Sequence, residues 1–425
     1  MLASSTSPDT LLTVAYADAA TQRIRFLLAH RPGFVAPTLA ARQLATLDNY
    51  TGRRLAVHYI SGGSDVDQQR DGDFLGHDER YARTDEYLTL LCRVWTEERP
   101  FDHEGAYYRV KGAASEVKPL QQPYVPIYFG GASEPALRVA GRHADVYALW
   151  GESLAQAGDL VRRVRAEAAA HGRGIGFSIS FRPIIAPTEE EAWTKAARIL
   201  ETTRAQQVQI AHARGAGPQQ SEGVRRLLAD AARGDRVDER LWTTIARETG
   251  GRSNSTALVG TPEQVADALL KYYDLGIETF LVRGFGPLVD ALEYGRELPP
   301  LVRAKVAEPD AQRALERHRG VADARGLAPE RAQDPRHGRA HPALVRRVGA
   351  HRRGCAARGH LPRARGQPGR ARRAHLGVPT PPDHALGLQP TGAWPQADGA
   401  FQTEMTLLLG ALYTGVARAA RDWLL

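Results

Sequence analysis

Three short stretches of the chain carry side chains whose types and spacing could do chemistry. The first is Ser61-Gly-Gly-Ser-Asp65, directly after an apolar run. Paired glycines at a strand end, here Gly62 and Gly63, let a planar ligand approach the backbone. A plain turn accounts for them equally. The second runs from Asp71 to Tyr81, with His77 and Tyr81 four residues apart. On a helix these two share a face, and a ring N–H beside a phenol O–H can meet a phosphate or a hydroxyl-rich chain. A capping loop with a solvated histidine is the other reading. The third is Ile127-Tyr-Phe-Gly-Gly-Ala-Ser133. It ends a strand in Gly130 and Gly131 and opens a helix at Ser133. Free N–H groups and a hydroxyl at a helix start attract an anion, unless Ser133 is only an N-cap. Arg252 and Arg283 add guanidinium forks suited to sulfonate or phosphate oxygens, or are surface arginines. No Ser/His/Asp triad, Walker-type loop or Cys/His metal spacing stands out.

These stretches need elements to hold them. Apolar runs bounded by Gly or Pro predict strands at about 24–30, 55–61, 126–130, 144–150, 177–184 and 278–284, with helical patterns between them. Strands alternating with helices predict an α/β fold with a parallel sheet, buried on both faces. An eight-fold (β/α) barrel needs eight strands. Six are legible, so the expectation is a parallel barrel of that type lacking its first two strands. Residues 205–255 interrupt the rhythm and read either as a lid over the barrel mouth or as a surface excursion with two helices.

From about residue 309 the pattern fails. Between Asp310 and His375 stand 17 Arg, no Lys and five acidic residues, a local charge of +12 that turns the chain's +8 into −4 elsewhere. The expected organisation is a barrel over 1–308, a disordered basic segment over 309–390 and an amphipathic helix over 391–425. Arginine-rich tails bind phosphate backbones, but no aromatic residues interleave here to stack bases, so a nucleic-acid partner is not expected. Two cysteines are too few for a disulfide framework and point to a reducing cytoplasm. No signal peptide or membrane-spanning run is legible.

Together the motifs resemble the luciferase-like flavin-dependent monooxygenases, most closely the alkanesulfonate monooxygenase branch. The matching stretches are Arg31 to Gln43, Gly62 to Asp65, His77 to Tyr81, Phe101 to Gly105, Gln122 to Gly131 and Trp150-Gly-Glu152, in order over about residues 10–303. The resemblance implies a barrel that binds reduced FMN, delivered by a separate flavin reductase, and that uses oxygen to oxidise an organosulfur substrate. It implies a cofactor set of His58, Gly62, Gly63, His77, Tyr81, Gly130, Gly131 and Ser133. It places Arg182 and Arg283 in catalytic roles and Arg252 and Phe285 at the substrate. Three departures stand out. The family's first two strands have no counterpart. Ser180-Phe-Arg182 replaces an Arg-x-His pair, and Phe285 replaces a Tyr. A second reading is a catalytically silent flavin-phosphate-binding remnant fused to a non-native tail. Exposed sheet edges would favour a homo-oligomer. Residues 399–410 loosely resemble a piece of an acyl-CoA-dehydrogenase-type flavoprotein.

Overall fold

Each of the six apolar runs becomes a strand, and the helices between them alternate as the pattern requires. The computed structural model describes residues 8–214, 221–251 and 256–324, with side chains described outside 206–214 and 308–324. The first half contains α1 (Thr10–Ala19), β1 (Phe26–His30), α2 (Pro37–Tyr50), β2 (Leu55–Tyr59), α3 (Asp65–Arg70) and α4 (His77–Thr96). Then come β3 (Phe101–Glu104), β4 (Arg109–Ala113), β5 (Ile127–Gly130), α5 (Glu134–His143), β6 (Val146–Trp150), α6 (Leu154–Ala170) and β7 (Gly176–Ile185). The rest is α7 (Glu189–Arg214), α8 (Glu222–Arg233), β8 (Arg236–Val237), β9 (Leu241–Trp242), α9 (Thr244–Glu248), β10 (Ala257–Gly260), α10 (Pro262–Asp274), β11 (Thr279–Val282) and α11 (Pro287–Ala324).

Seven strands run parallel: six in the order β1-β2-β5-β6-β7-β11, and β10 against the end of β7. Strand β7 is long enough to serve two partners on top of β6. Its residues 178–181 pair with β11 and its residues 182–185 with β10. One sheet face is fully covered. Leu55, Val57, Tyr59, Ile127 and Phe129 are buried there, and the Tyr59 and Phe129 rings contact Tyr87 and Tyr81 of α4. The opposite face carries Ala56, His58, Tyr128, Gly130 and Trp150, each partly exposed. The sheet curls around that face. The Tyr128 hydroxyl of β5 lies close enough to the Thr279 side chain on β11 for that side chain to offset part of the pKa rise that burial gives it. Three strand spacings in a flat sheet are about 14 Å, beyond a tyrosine's reach.

The described pairings end at β1 and β11, which are not bonded to each other. The β1 edge is not bare, because Thr10 Oγ1 of α1 donates to the Ala29 carbonyl at 2.8 Å. Four features depart from expectation. Strand β10, Ala257–Gly260, is a buried seventh parallel strand outside the six expected. A polar hairpin, β3–β4, pairs antiparallel and hangs on Glu86, whose carboxylate accepts the Tyr107 and Tyr108 N–H groups. Within residues 205–255 lie not only two helices, α8 and α9, but also the β8–β9 hairpin, which joins β10 through β9. The last helix continues to Ala324, past the expected boundary at 308. The remainder of the expected disordered segment and the 391–425 helix lie outside the described residues.

Candidate functional site

The C-terminal ends of parallel strands are where α/β proteins place their chemistry. Among the helices that start there on a hydroxyl N-cap are α5 on Ser133, α6 on Ser153 and α10 on Thr261. What each hydroxyl does differs. Thr261 Oγ1 accepts from the Gln264 N–H at 3.3 Å in a closed capping box. Ser153 Oγ donates to Asp230 at 2.8 Å, and the Ser153 and Leu154 N–H groups are taken by Asp230 and Asp238 at 2.7 and 2.6 Å. Ser133 Oγ is buried and completes no hydrogen bond of good geometry. Of the three helix starts, only that of α5 is left with an orphan hydroxyl.

The surroundings of Ser133 suit an anion. Gly131 has φ +130°, a conformation that excludes most side chains. A Cβ there would lie 2.7 Å from the Tyr81 hydroxyl and 2.9 Å from Ala136 Cβ. The Gly131 carbonyl is tied off by the Tyr147 hydroxyl at 2.6 Å. Burial raises the Tyr81 pKa, and the neighbouring Ser133 hydroxyl offsets part of that shift. The two hydroxyls therefore feel each other without aligning into a good bond. The His77 ring stands edge-on to Tyr81, with centroids 5.0 Å apart, and its Nδ1 is held by Asp78 at 2.6 Å. His77, Tyr81, Gly131 and Ser133 thus converge as expected. Helix α4 starts at His77 itself, and this puts His77 and Tyr81 on one face. An orphan hydroxyl, free helical N–H groups and a side-chain-free cradle fit a phosphate monoester.

His58 joins this group through Gly130, where a Cβ would lie 3.4 Å from His58 Nε2. Burial pulls the His58 pKa down to about 4, so its imidazole is neutral near pH 7. Gly62 has φ +98° and packs against the Gln68 amide, while Gly63 faces Ser221. The 61–65 turn is fixed by a polar knot that the sequence did not advertise. Gln68 Nε2 donates to the Ser61 carbonyl and to Asp73. Arg83 then grips Asp73 at 2.6 and 3.1 Å and the Pro32 carbonyl at 3.2 Å.

A second group forms at the ends of β7 and β11. Arg182 Nη1 donates to the Gly284 carbonyl at 3.4 Å, and the guanidinium lies 4.9 Å from the Phe285 ring centroid. Burial, with the nearby charge of Arg283, pushes the Arg182 pKa down to about 10. Arg182, Arg283 and Phe285 are therefore neighbours. The end of β6, with Trp150, stands between them and the Ser133 group. Arg252 lies outside the described residues. No cluster of His, Cys, Asp or Glu among the described residues is placed to hold a metal. None of the described helices is long and apolar enough to cross a membrane.

The family model for luciferase-like monooxygenases matches residues 1–279. The chain belongs to that family. Its fold is shared with solved relatives at low identity. A riboflavin lyase, solved with modified FMN and riboflavin, is 22% identical with a TM-score of 0.58, over 70% of this chain and 74% of that one. An EDTA monooxygenase from Chelativorans sp. BNC1 is 22% identical with a TM-score of 0.56, over 70% and 77%. A long-chain alkane monooxygenase is 21% identical with a TM-score of 0.52, over 77% and 75%. The family match carries the flavin-dependent monooxygenase expectation. It does not single out the alkanesulfonate branch.

Proposed function

We propose that this luciferase-like chain is an FMN-dependent monooxygenase that takes reduced flavin from a separate reductase and acts on a small organosulfur anion. The observation that carries the reading is the orphan Ser133 hydroxyl beside the Gly131 cradle at the open start of α5. Ser133, Tyr81 and His77 would hold the FMN phosphate and ribityl chain together with the Glu134 and Ala136 N–H groups of α5, Pro135 having none. His58, Gly130 and the 62–63 turn would line the ring. Neutral His58 adds no charge beside the ring at pH 7. A relative solved with modified FMN supports this choice of cofactor. When bound, reduced FMN supplies the electrons that activate oxygen.

The substrate reading rests on Arg182 and Arg283. Burial is the main cause of the lowered Arg182 pKa, and the neighbouring Arg283 guanidinium adds to it by raising the local potential. An anionic head group relieves that repulsion, and Phe285 offers an apolar surface for the carbon chain beside it. Arg252 is proposed as a further contact. These residues bind and orient; their charge also favours negative charge developing on the substrate. We read the six-strand arc as part of a barrel of the eight-fold type, acting in the cytoplasm and as a homo-oligomer.

The test is a single-turnover assay with chemically reduced FMN, oxygen and a panel of linear alkanesulfonates, with sulfite as readout. Sulfite release by the native protein, reduced at least tenfold in Arg182→Met and Arg283→Met, is the expected result. Normal FMN binding with no sulfite from any member of the panel would remove the substrate assignment. It would also favour the silent flavin-binding reading.

A further inference from the structure

The helix that follows α7 is fastened to the strand ends by buried charge. Glu152, just past β6, is 1% exposed. Its carboxylate receives Arg226 of α8 through Nε at 3.0 and 3.1 Å and Nη2 at 2.7 Å. Arg226 Nη2 also donates to the Gln156 carbonyl at 2.9 Å. Four residues along α8, Asp230 accepts the Ser153 N–H, the Ser153 hydroxyl and the Gln156 amide. Asp238, in the turn before β9, accepts the Leu154 N–H. The positive end of α6 is filled by carboxylates of this segment. Tyr272 of α10 braces the joint by donating to the Glu152 carbonyl at 2.9 Å.

This fastening aims the first turn of α8 at the candidate site. Ser221, its N-cap, comes within 3.6 Å of where a Cβ on Gly63 would stand. Gly223 lies against the Trp150 indole, where a Cβ would meet Cε3 at 3.4 Å. Trp150 pairs in register with Ser180, two residues before Arg182 on the same face of β7. The start of α8 therefore stands over the ground between the Ser133 group and the Arg182–Arg283 pair.

We infer that Glu152, Arg226 and Asp230 form a positioning clamp that holds α8 across the strand ends as a wall of the binding site. Ser221 and Gly223 are its inner edge. The wall sets how large a group fits beside Trp150. Its place over the strand ends is geometric, while its effect on substrate rests on the function proposed above.

The experiment uses the full chain without flavin, so it is independent of whether FMN binds. Iodide quenching of the Trp150 signal, taken as native protein minus Trp150→Phe, is measured in Arg226→Met, Arg226→Lys and Asp230→Asn. Amide exchange of residues 222–233 is followed in parallel. The clamp predicts at least a threefold larger quenching constant and about tenfold faster exchange in Arg226→Met. Asp230→Asn shifts the same way by a smaller factor, and Arg226→Lys stays near native. If Arg226→Met does not fold, Asp230→Asn alone decides. Unchanged quenching in Asp230→Asn, or faster exchange spread evenly over the whole sheet, overturns the clamp. FMN titration then separates the two proposals. Native protein that binds no FMN would sink the proposed function and leave the clamp result standing. Loss of FMN phosphate affinity in Asp230→Asn would contradict the assignment of that wall to the ring and substrate side.

Discussion

Helices α5 and α6 start side by side at the ends of adjacent strands, each on a serine N-cap, and they are finished in opposite ways. At α6 the protein supplies its own anions, Asp230 and Asp238, and every hydrogen-bonding group of Ser153 that faces them is used. At α5 no carboxylate among the described residues takes the Ser133 hydroxyl, which is buried without a well-formed bond. A buried orphan hydroxyl costs about 1–3 kcal/mol. On the function proposed above, the protein removes this cost at one serine and keeps it at the next for a ligand. The same electrostatics thus serve architecture at α6 and binding at α5.

The largest effect should come from breaking the α6 side. Removing one partner of a buried ion pair costs about 3–5 kcal/mol. Arg226→Met should therefore lower urea-unfolding stability by about that amount. Arg162→Met, which touches only an exposed pair with Asp159, should change it by under about 1 kcal/mol. Equal costs for the two would mean that the Glu152–Arg226 pair is not the anchor of α8.

Next in size is the α5 side. In a His77→Ala/Tyr81→Phe double variant, each lost bond to the phosphate should cost about 1.5–3 kcal/mol of FMN affinity, read by flavin fluorescence titration. Glu79→Ala on the same turn should have little effect on FMN. Comparable losses at all three positions would show a general disturbance of α4.

An acid effect, spread over a range of pH, comes from two histidines on β1 and β2. Burial holds His58 and His30 at about 4, against an ordinary value of 6.5. The folded state favours the neutral ring, so this stability is complete above pH 6.5. It is lost as pH falls from 6.5 towards 4. Each such histidine should add up to about 1.4 kcal/mol per pH unit to the slope in that window. In His58→Leu, unfolding midpoints measured from pH 7 to 4 should fall with a shallower slope. An unchanged slope would show that His58 takes up its proton equally in both states.

Six of the parallel strands were legible because they are short, mostly apolar runs bounded by turn residues, as in Phe26-Leu-Leu-Ala-His30, whereas β10, four residues long beside the 205–255 interruption, was missed. The β3–β4 and β8–β9 hairpins were not legible, because the first is largely polar and the second has only two residues in each strand. Of the candidate site, the His77–Tyr81 spacing and the Gly130–Ser133 turn could be read, since both are local. The clamp could not. Glu152 and Arg226 are 74 residues apart, and nothing in local spacing marks two charges as partners. For the same reason Ser133 and Ser153 look alike as sequence. Only the arrival of Asp230, 77 residues after Ser153, tells them apart.

The most direct test of the account compares FMN with riboflavin, which lacks the phosphate, on native protein and on Ser133→Ala. If the phosphate occupies the open start of α5, Ser133→Ala should weaken FMN by about tenfold, roughly 1.4 kcal/mol. Riboflavin affinity should stay within about twofold of native. Unchanged FMN affinity, or equal losses for both flavins, would contradict the central claim that this helix start is held open for a phosphate.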